Sequence, residues 1–183
     1  SSATNLYMPS IMRDFPEFHY DEMKSRAENV LTSYLQSITK QNPALLSEGT
    51  RELKEQLSLR LEMLQNQSQK ESFENIHIHR TESHQYRKQK GRQSIVLQTA
   101  VEYFHALKEN GKVIRGSEEH KEQAKYNVEL VYIQDQDMIE NQEDAGLGLN
   151  CPNCGAPLPG LGAKKCIYCD TPIVEYNLRV WNF

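Results

Sequence analysis

Apolar side chains recur at spacings of three and four along residues 21–41, which places them on one face of a helix. Asn42 and Pro43 follow as a capping residue and a first-turn proline, so a short second helix is predicted to end at Gly49. Thr50 can cap a third helix, which ends at the polar run 65–70. The two main apolar stripes consist of Met23, Ala27, Val30, Leu31, Tyr34, Leu35 and Ile38, and of Leu53, Leu57, Leu61 and Leu64.

From Phe73 onward the apolar period changes to two, which is typical of strands. Strands are predicted at residues 73–79, 95–107, 126–133 and 176–183, where β-branched and aromatic residues are frequent. Asn110-Gly111 is the dipeptide of a tight hairpin turn. Helices followed by strands indicate an α+β fold in which N-terminal helices pack on a curved antiparallel sheet.

All four cysteines lie within nineteen residues, as two Cys-x-x-Cys pairs that eleven residues separate: Cys151, Cys154, Cys166 and Cys169. Two tight turns that each present two thiolates provide the tetrahedral set that zinc prefers. A disulfide framework would spread its cysteines, because a cross-link stabilises a protein by closing long loops. The pattern therefore predicts one structural Zn²⁺ ion. Redox or disulfide use is an alternative, and so is a catalytic zinc, although four sulfurs leave no open position for water.

The cysteine window contains few apolar residues, so metal binding, worth about 10–16 kcal/mol in small zinc modules, would have to stabilise it. It lies between two predicted strands and follows an acidic stretch at residues 135–148, which reads as a solvated linker or a recognition tail for a basic partner. We predict a zinc ribbon at residues 149–172, inserted in a loop of a domain formed by residues 1–134 and 173–183. Such an insertion requires that its two ends lie close together.

The formal net charge is −4, and a zinc–tetrathiolate centre would lower it to about −6. Nucleic acid is therefore not expected as a partner, because binding a polyanion requires a broad basic surface. No apolar run approaches the roughly 20 residues that span a bilayer, and no signal peptide is visible.

Basic residues are concentrated at residues 80–92, which carry five Arg and Lys against one Glu, where a turn between two strands is predicted. Such a turn can contact anionic lipid headgroups or a protein partner. The alternative is a solvated hairpin tip whose charge prevents aggregation. The residues that would carry the interaction are Arg87, Lys88, Lys90 and Arg92, which we call the basic hairpin end.

Histidines offer a second candidate site. His77 and His79 lie two positions apart on one predicted strand, as Tyr103 and His105 do on another. Such side chains can act as ligands or as a general base, but they are more often ordinary residues of a strand face. If the face lined the interior of the domain, Tyr103, His105 and His77 would form a polar pocket.

The chain resembles the C-terminal domain of the mitochondrial import translocase subunit 44 and its bacterial relatives, which share the nuclear transport factor 2-like cone fold. The resemblance covers nearly the whole chain. It depends on Asp14-Phe-Pro-Glu-Phe18 before the first predicted helix, the three-helix pattern through Leu64 and the closing Leu178-Arg-Val-Trp181. Bacterial members that carry a zinc ribbon are the most similar, because the segment containing the cysteines is similar to their insert.

The resemblance implies a cone-shaped, non-enzymatic domain that contacts protein or lipid partners at a membrane surface, in protein transport or membrane scaffolding. We expect it at the cytoplasmic face of a membrane, with tethering by a segment upstream of Ser1. The alternative is a small-ligand-binding protein, or an isomerase or dehydratase, that uses the hollow of the cone.

Overall fold

The computed structural model describes residues 2–14, 19–89, 92–133, 168–169 and 175–182. The helical elements are α1 (Ser2–Asp14), α2 (Tyr20–Lys40), a single 3-10 turn (Pro43–Leu45) and α3 (Arg51–Asn66). The strands are β1 (Gln69–Gln89), β2 (Arg92–Glu109), β3 (Lys112–Gly116), β4 (Glu122–Ile133) and β5 (Glu175–Asn182). The predicted α+β class is confirmed. Within these ranges no helix combines the length and apolarity needed to cross a membrane.

The helix boundaries follow the predicted local signals. Asn42 Oδ1 accepts a hydrogen bond from the Ala44 N–H at 3.0 Å, and Thr50 Oγ1 accepts one from the Leu53 N–H at 3.3 Å. α2 ends where Gln41 adopts a left-handed conformation with φ of 54°. The second helix is shorter than predicted, because the turn Pro43–Leu45 stops well before Gly49.

Helix α1 was not predicted. It contains Pro9, which removes a backbone donor from the helix interior, and its first turn has no acidic residue. Packing compensates for this weak local preference, since the Ile11 side chain is fully buried in the core and Tyr7 and Met8 pack against it. α1 therefore depends on tertiary contacts more than α2 or α3 does.

The sheet has the strand order β1-β2-β4-β5, and β3 pairs with the end of β2. β1 and β2 form a long antiparallel hairpin in which Gln69 lies opposite Glu109 and Gln89 lies opposite Arg92. Three irregularities in this pairing act as bulges, which increase twist and curvature. At the β2–β3 turn, Asn110 and Gly111 both have positive φ, 52° and 78°, as the predicted hairpin turn requires.

The prediction of a fully antiparallel sheet was wrong for the last strand, because β5 runs parallel to β4. Glu175 lies opposite Lys125, eight residues before Ile133, so the ends of the connecting segment are separated by about 26 Å along the strands. Parallel neighbours require a crossover connection. The prediction that the two ends of the 149–172 insert lie close together concerns residues outside the described part of the chain and stays a prediction. The predicted ribbon itself lies outside the described residues except for residues 168–169.

The core lies between the helices and the inner face of the sheet. α2 contributes most of the helical side of this core, and α3 adds Leu53, Leu57 and Leu64. Along β2 the inner face carries alternate residues, because successive strand residues point to opposite faces. The residues of β1, β2 and β4 that form this core are Phe73, Ile95, Leu97, Val101, Tyr103, Leu107, Tyr126, Val128 and Leu130.

Candidate functional site

Four elements bring charged side chains together on the inner face of the sheet. Arg60 of α3 donates two hydrogen bonds to Glu71 Oε1 of β1, with Nη2 at 2.6 Å and Nε at 3.1 Å. His105 of β2 places Nε2 2.7 Å from Glu71 Oε2 and Nδ1 3.1 Å from Glu122 Oε1 of β4. We call Arg60, Glu71, His105 and Glu122 the inner charge cluster. Glu71 is its centre, because both of its oxygens are engaged.

Arg60, Glu71 and His105 are mostly shielded from water, whereas the side chain of Glu122 is 49% exposed. The side chains of Arg60, Glu71 and His105 are 22%, 11% and 14% exposed. Burial alone would raise the pKa of Glu71, but the hydrogen bond from His105 and the charge of Arg60 hold it below its usual range. Burial likewise opposes the charge of Arg60, but Tyr34 and Glu71 raise its pKa above the ordinary value. Glu71 and Arg60 are therefore ionised partners.

Tyr34 of α2 lies beside Arg60. Its hydroxyl is buried next to the guanidinium, and burial raises the pKa of Tyr34 whereas the guanidinium lowers it. The pKa is raised overall, so the hydroxyl stays neutral. The sequence prediction placed Tyr34 in an apolar stripe and did not identify Arg60 or Glu71. Arg60 lies three residues after Leu57 and four before Leu64, and a charged residue among core positions was the available signal.

Tyr103 and His105 share the inner face, as predicted. The Tyr103 and Tyr126 hydroxyls lie 2.9 Å apart, and both side chains are buried. The Phe73 ring packs edge-on against Tyr103, with centroids 4.9 Å apart, and stacks on His105 at 4.7 Å. Each of the two predicted pocket residues therefore already has polar and aromatic partners within the chain.

His77 does not join Tyr103 and His105. It lies opposite Glu102, one position before Tyr103, and therefore on the outer face of the sheet. Its ring contacts His79 with centroids 4.8 Å apart, and His79 Nε2 lies 3.4 Å from Glu102 Oε2. The predicted three-residue pocket is not assembled. Among the described residues, no group of three or more His, Cys, Asp or Glu side chains is arranged to hold a metal ion.

The basic hairpin end differs from its prediction in one respect. β1 and β2 extend to Gln89 and Arg92, so Arg87, Lys88 and Arg92 lie in strands and not in a long turn. Lys90 and the side chains of Arg87 and Arg92 lie outside the described part of the chain. The Lys88 side chain is about half exposed.

Lys88 contacts the end of helix α1. Asp14 Oδ2 accepts a hydrogen bond from Lys88 Nζ at 2.6 Å and another from Tyr86 Oη at 2.5 Å. The hydrogen bonds from Lys88 and Tyr86 lower the pKa of Asp14 to about 2. Burial and the neighbouring carboxylate raise the pKa of Tyr86. Asp14 therefore remains an anion held by two donors of β1.

The zinc site remains a prediction. Cys151, Cys154 and Cys166 lie outside the described residues, as does the acidic stretch at 135–148. Cys169 is partly buried in a turn with Tyr168.

Comparison with known proteins does not identify a family. No family model matches the chain, and no curated protein is significantly similar to it in sequence. The function is therefore proposed from the residues, their geometry and the resemblance noted in the sequence.

Proposed function

We propose that this chain is a non-enzymatic interaction domain that works at a membrane surface, in protein transport or membrane scaffolding. Its partners are an anionic membrane surface and a protein, and a single structural zinc ion stabilises the ribbon. The resemblance to the import translocase subunit 44 domain suggests this role. The observation that carries it is the concentration of basic residues at the far end of the β1–β2 hairpin.

The hairpin has a suitable geometry for reaching a surface. Glu71 and Lys88 lie at opposite ends of β1, a separation of roughly 50 Å along the strand. The basic hairpin end is thus remote from the inner charge cluster. A basic side chain near an anionic surface contributes about 1 kcal/mol, so four contribute about 4 kcal/mol. This is weak binding, and it favours a second attachment such as a tether or a protein partner.

The non-enzymatic part of the proposal is supported by the inner face. A general base must reach a substrate proton at hydrogen-bond distance. Both ring nitrogens of His105 face carboxylates, and the Tyr103 hydroxyl faces that of Tyr126. These groups stabilise the fold by bonding to one another.

The zinc part of the proposal depends on the cysteine spacing. Four thiolates complete the coordination shell, which is the arrangement of structural zinc sites. Lys164 and Lys165 immediately precede Cys166 and offset the negative charge of the centre.

The test is vesicle flotation, together with affinity capture of protein partners, for a variant with Arg87→Glu, Lys88→Glu, Lys90→Glu and Arg92→Glu. We expect it to lose binding to phosphatidylserine vesicles. The matched control reverses the charge of four basic residues elsewhere on the chain, Lys54, Lys70, Lys112 and Lys125, which are exposed. If the first variant retains the binding of both lipid and protein, the basic hairpin end has no part in the function.

A further inference from the structure

Helix α1 ends in a charge that the helix itself disfavours. Asp14 is the last residue of α1, where the backbone dipole presents partial negative charge and favours a cation. Pro9 weakens the same helix in its interior. The position of Asp14 is therefore explained by what it contacts on β1 and not by helix formation.

The contacts of Asp14 have the form of an anion site. One carboxylate oxygen receives a cationic donor, Lys88 Nζ at 2.6 Å, and a neutral donor, Tyr86 Oη at 2.5 Å. Tyr86 and Lys88 are two positions apart on β1 and share one face of the strand. A charged ammonium and a hydroxyl that converge on one oxygen suit a phosphate oxygen as well as a carboxylate.

The other described contacts of α1 come from residues 7–14. Ile11 is fully buried, and the Met8 sulfur lies 3.9 Å from Ser83 Oγ. Tyr7 and Met8 pack against the core only in part. A helix whose described contacts, within residues 7–14, comprise one fully buried apolar side chain and one exchangeable ion pair can leave the sheet at a modest cost in free energy.

We propose that α1 is an intramolecular mask of Lys88, in which Asp14 occupies the position on Lys88 and Tyr86 that an anionic lipid headgroup takes at a membrane. The proposal rests on the proposed function, because it names the contact that controls the same surface. An anionic surface competes with Asp14 for the two donors. When Asp14 leaves, the hairpin end loses a negative charge and Lys88 becomes available.

The lowered pKa of Asp14 agrees with this arrangement, because it reports how strongly the two donors favour the anion. Arg13 also lies beside Asp14, with its Nε 3.4 Å from the other carboxylate oxygen. The mask is therefore one carboxylate, and a single substitution can remove it.

The experiment uses the whole chain and the variant Asp14→Asn, which keeps the shape of the side chain and removes its charge. The first measurement is the rate at which an amine-acetylating reagent modifies Lys88, read by mass spectrometry without lipid. We expect the rate to rise several-fold, while the rate at Lys125 stays constant. Tyr86→Phe, which leaves the carboxylate but removes one donor, should give a smaller rise. The matched control is Glu55→Gln, which removes an exposed ion pair with Arg51 on α3.

The second measurement is binding to phosphatidylserine vesicles. Asp14→Asn should bind about five-fold more tightly than the unmodified chain, the factor expected for one additional basic side chain near an anionic surface. Adding Lys88→Met should abolish the gain. Neutral phosphatidylcholine vesicles should show no gain, and 10 mM inorganic phosphate should not release α1, which would appear as faster hydrogen exchange in that helix.

Each outcome is decisive. If Lys88 acetylation is unchanged in both Asp14→Asn and Tyr86→Phe, the mask is refuted, whatever the vesicles show. If acetylation rises but no variant binds anionic vesicles, the membrane role in the proposed function fails and the lipid headgroup is excluded as the competitor of Asp14. If inorganic phosphate accelerates hydrogen exchange in α1 as anionic vesicles do, the ligand is a free anion and the membrane assignment is wrong.

Discussion

The two ends of β1 use similar polar contacts in two different environments. Near its start, Glu71 is shared between Arg60 and His105 in the protein interior, and near its end Asp14 is shared between Lys88 and Tyr86 close to the surface. In the interior, removing one partner leaves a charge away from water, so the contact must persist. Near the surface, water and salt can replace a partner at little cost. The first arrangement suits a fixed core and the second suits an exchangeable contact.

The largest effect should come from breaking the buried pair. Arg60→Met leaves Glu71 with only His105, and we expect a loss of about 3 to 4 kcal/mol in the free energy of unfolding. Arg51→Met is the matched control, because Arg51 forms an exposed pair with Glu55 on the same helix and should cost about 0.5 kcal/mol or less. Urea denaturation measures both. Equal losses of unfolding free energy in Arg60→Met and Arg51→Met would mean that burial does not strengthen the contact of Arg60 with Glu71.

Substituting Gly116 tests how closely the backbone packs beside His105 of the inner charge cluster. The φ of Gly116 is +76°, and a Cβ there would lie 2.0 Å from the carbonyl oxygen of His105. Gly116→Ala should cost about 2 to 3 kcal/mol, through left-handed strain and displacement of β2. Gly111 has a similar φ of +78° and no atom within 4 Å, so Gly111→Ala should cost only about 1 kcal/mol. If thermal denaturation gives the same loss for both, the close approach to His105 is unimportant.

Lowering the pH should destabilise the folded chain, because Glu71 becomes protonated. Because its pKa is lowered in the folded state, the stability it contributes is complete above the ordinary pKa of 4.5 and is lost as the pH falls through the lowered value. The free energy of unfolding should therefore fall less steeply below pH 4.5 in Glu71→Gln than in the unmodified chain. The pKa of Asp14 is also lowered in the folded chain, so its contribution to stability should disappear as the pH falls from about 4 to about 2. If the free energy of unfolding falls as steeply below pH 4.5 in Glu71→Gln as in the unmodified chain, folding does not stabilise this carboxylate.

Metal removal should affect a third region more than either end of β1. We expect one zinc per chain by elemental analysis, and we expect chelation or Cys151→Ser to unfold the ribbon while the helices and β1, β2 and β4 remain folded. Hydrogen exchange should increase in β5, because residues 134–174 connect it to β4 across the length of the strands. Cooperative melting of the whole chain on chelation would contradict a separate ribbon.

The smallest effect on stability should be that of salt. One molar NaCl should weaken the contact of Asp14 with Lys88, which is near the surface, and leave that of Glu71 with Arg60 largely intact. Comparing the salt dependence of Asp14→Asn and Glu71→Gln with that of the unmodified chain measures the difference. If both contacts respond equally, the distinction between an exchangeable and a fixed contact is lost.

The sequence predicted the elements whose signals are local. The caps at Asn42 and Thr50 and the turn at Asn110-Gly111 are all present, because each depends on a few neighbouring residues. Helix α1 was missed because Pro9 and a polar first turn conceal a helix that packing maintains. The direction of β5 was also missed, since strand pairing is a tertiary property that periodicity does not contain.

The placement of His77 shows why the candidate pocket was wrong. Phe73 is on the inner face, and simple alternation would put residue 77 there too. An extra residue in β1 between Glu74 and His77, where Asn75 has φ of 50°, reverses the alternation and moves His77 to the outer face. Because of this bulge, the side chains of His77 and His105 lie on opposite faces of the sheet. Only the pairing of β1 with β2 reveals it.

The account depends on an anionic surface displacing Asp14 from the basic hairpin end. Hydrogen exchange of the unmodified chain, measured with and without phosphatidylserine vesicles, tests this directly. We predict that vesicle binding accelerates exchange throughout α1 while α2 stays protected, and that neutral vesicles change neither helix. Vesicle binding that leaves α1 as protected as in the free protein would contradict the account.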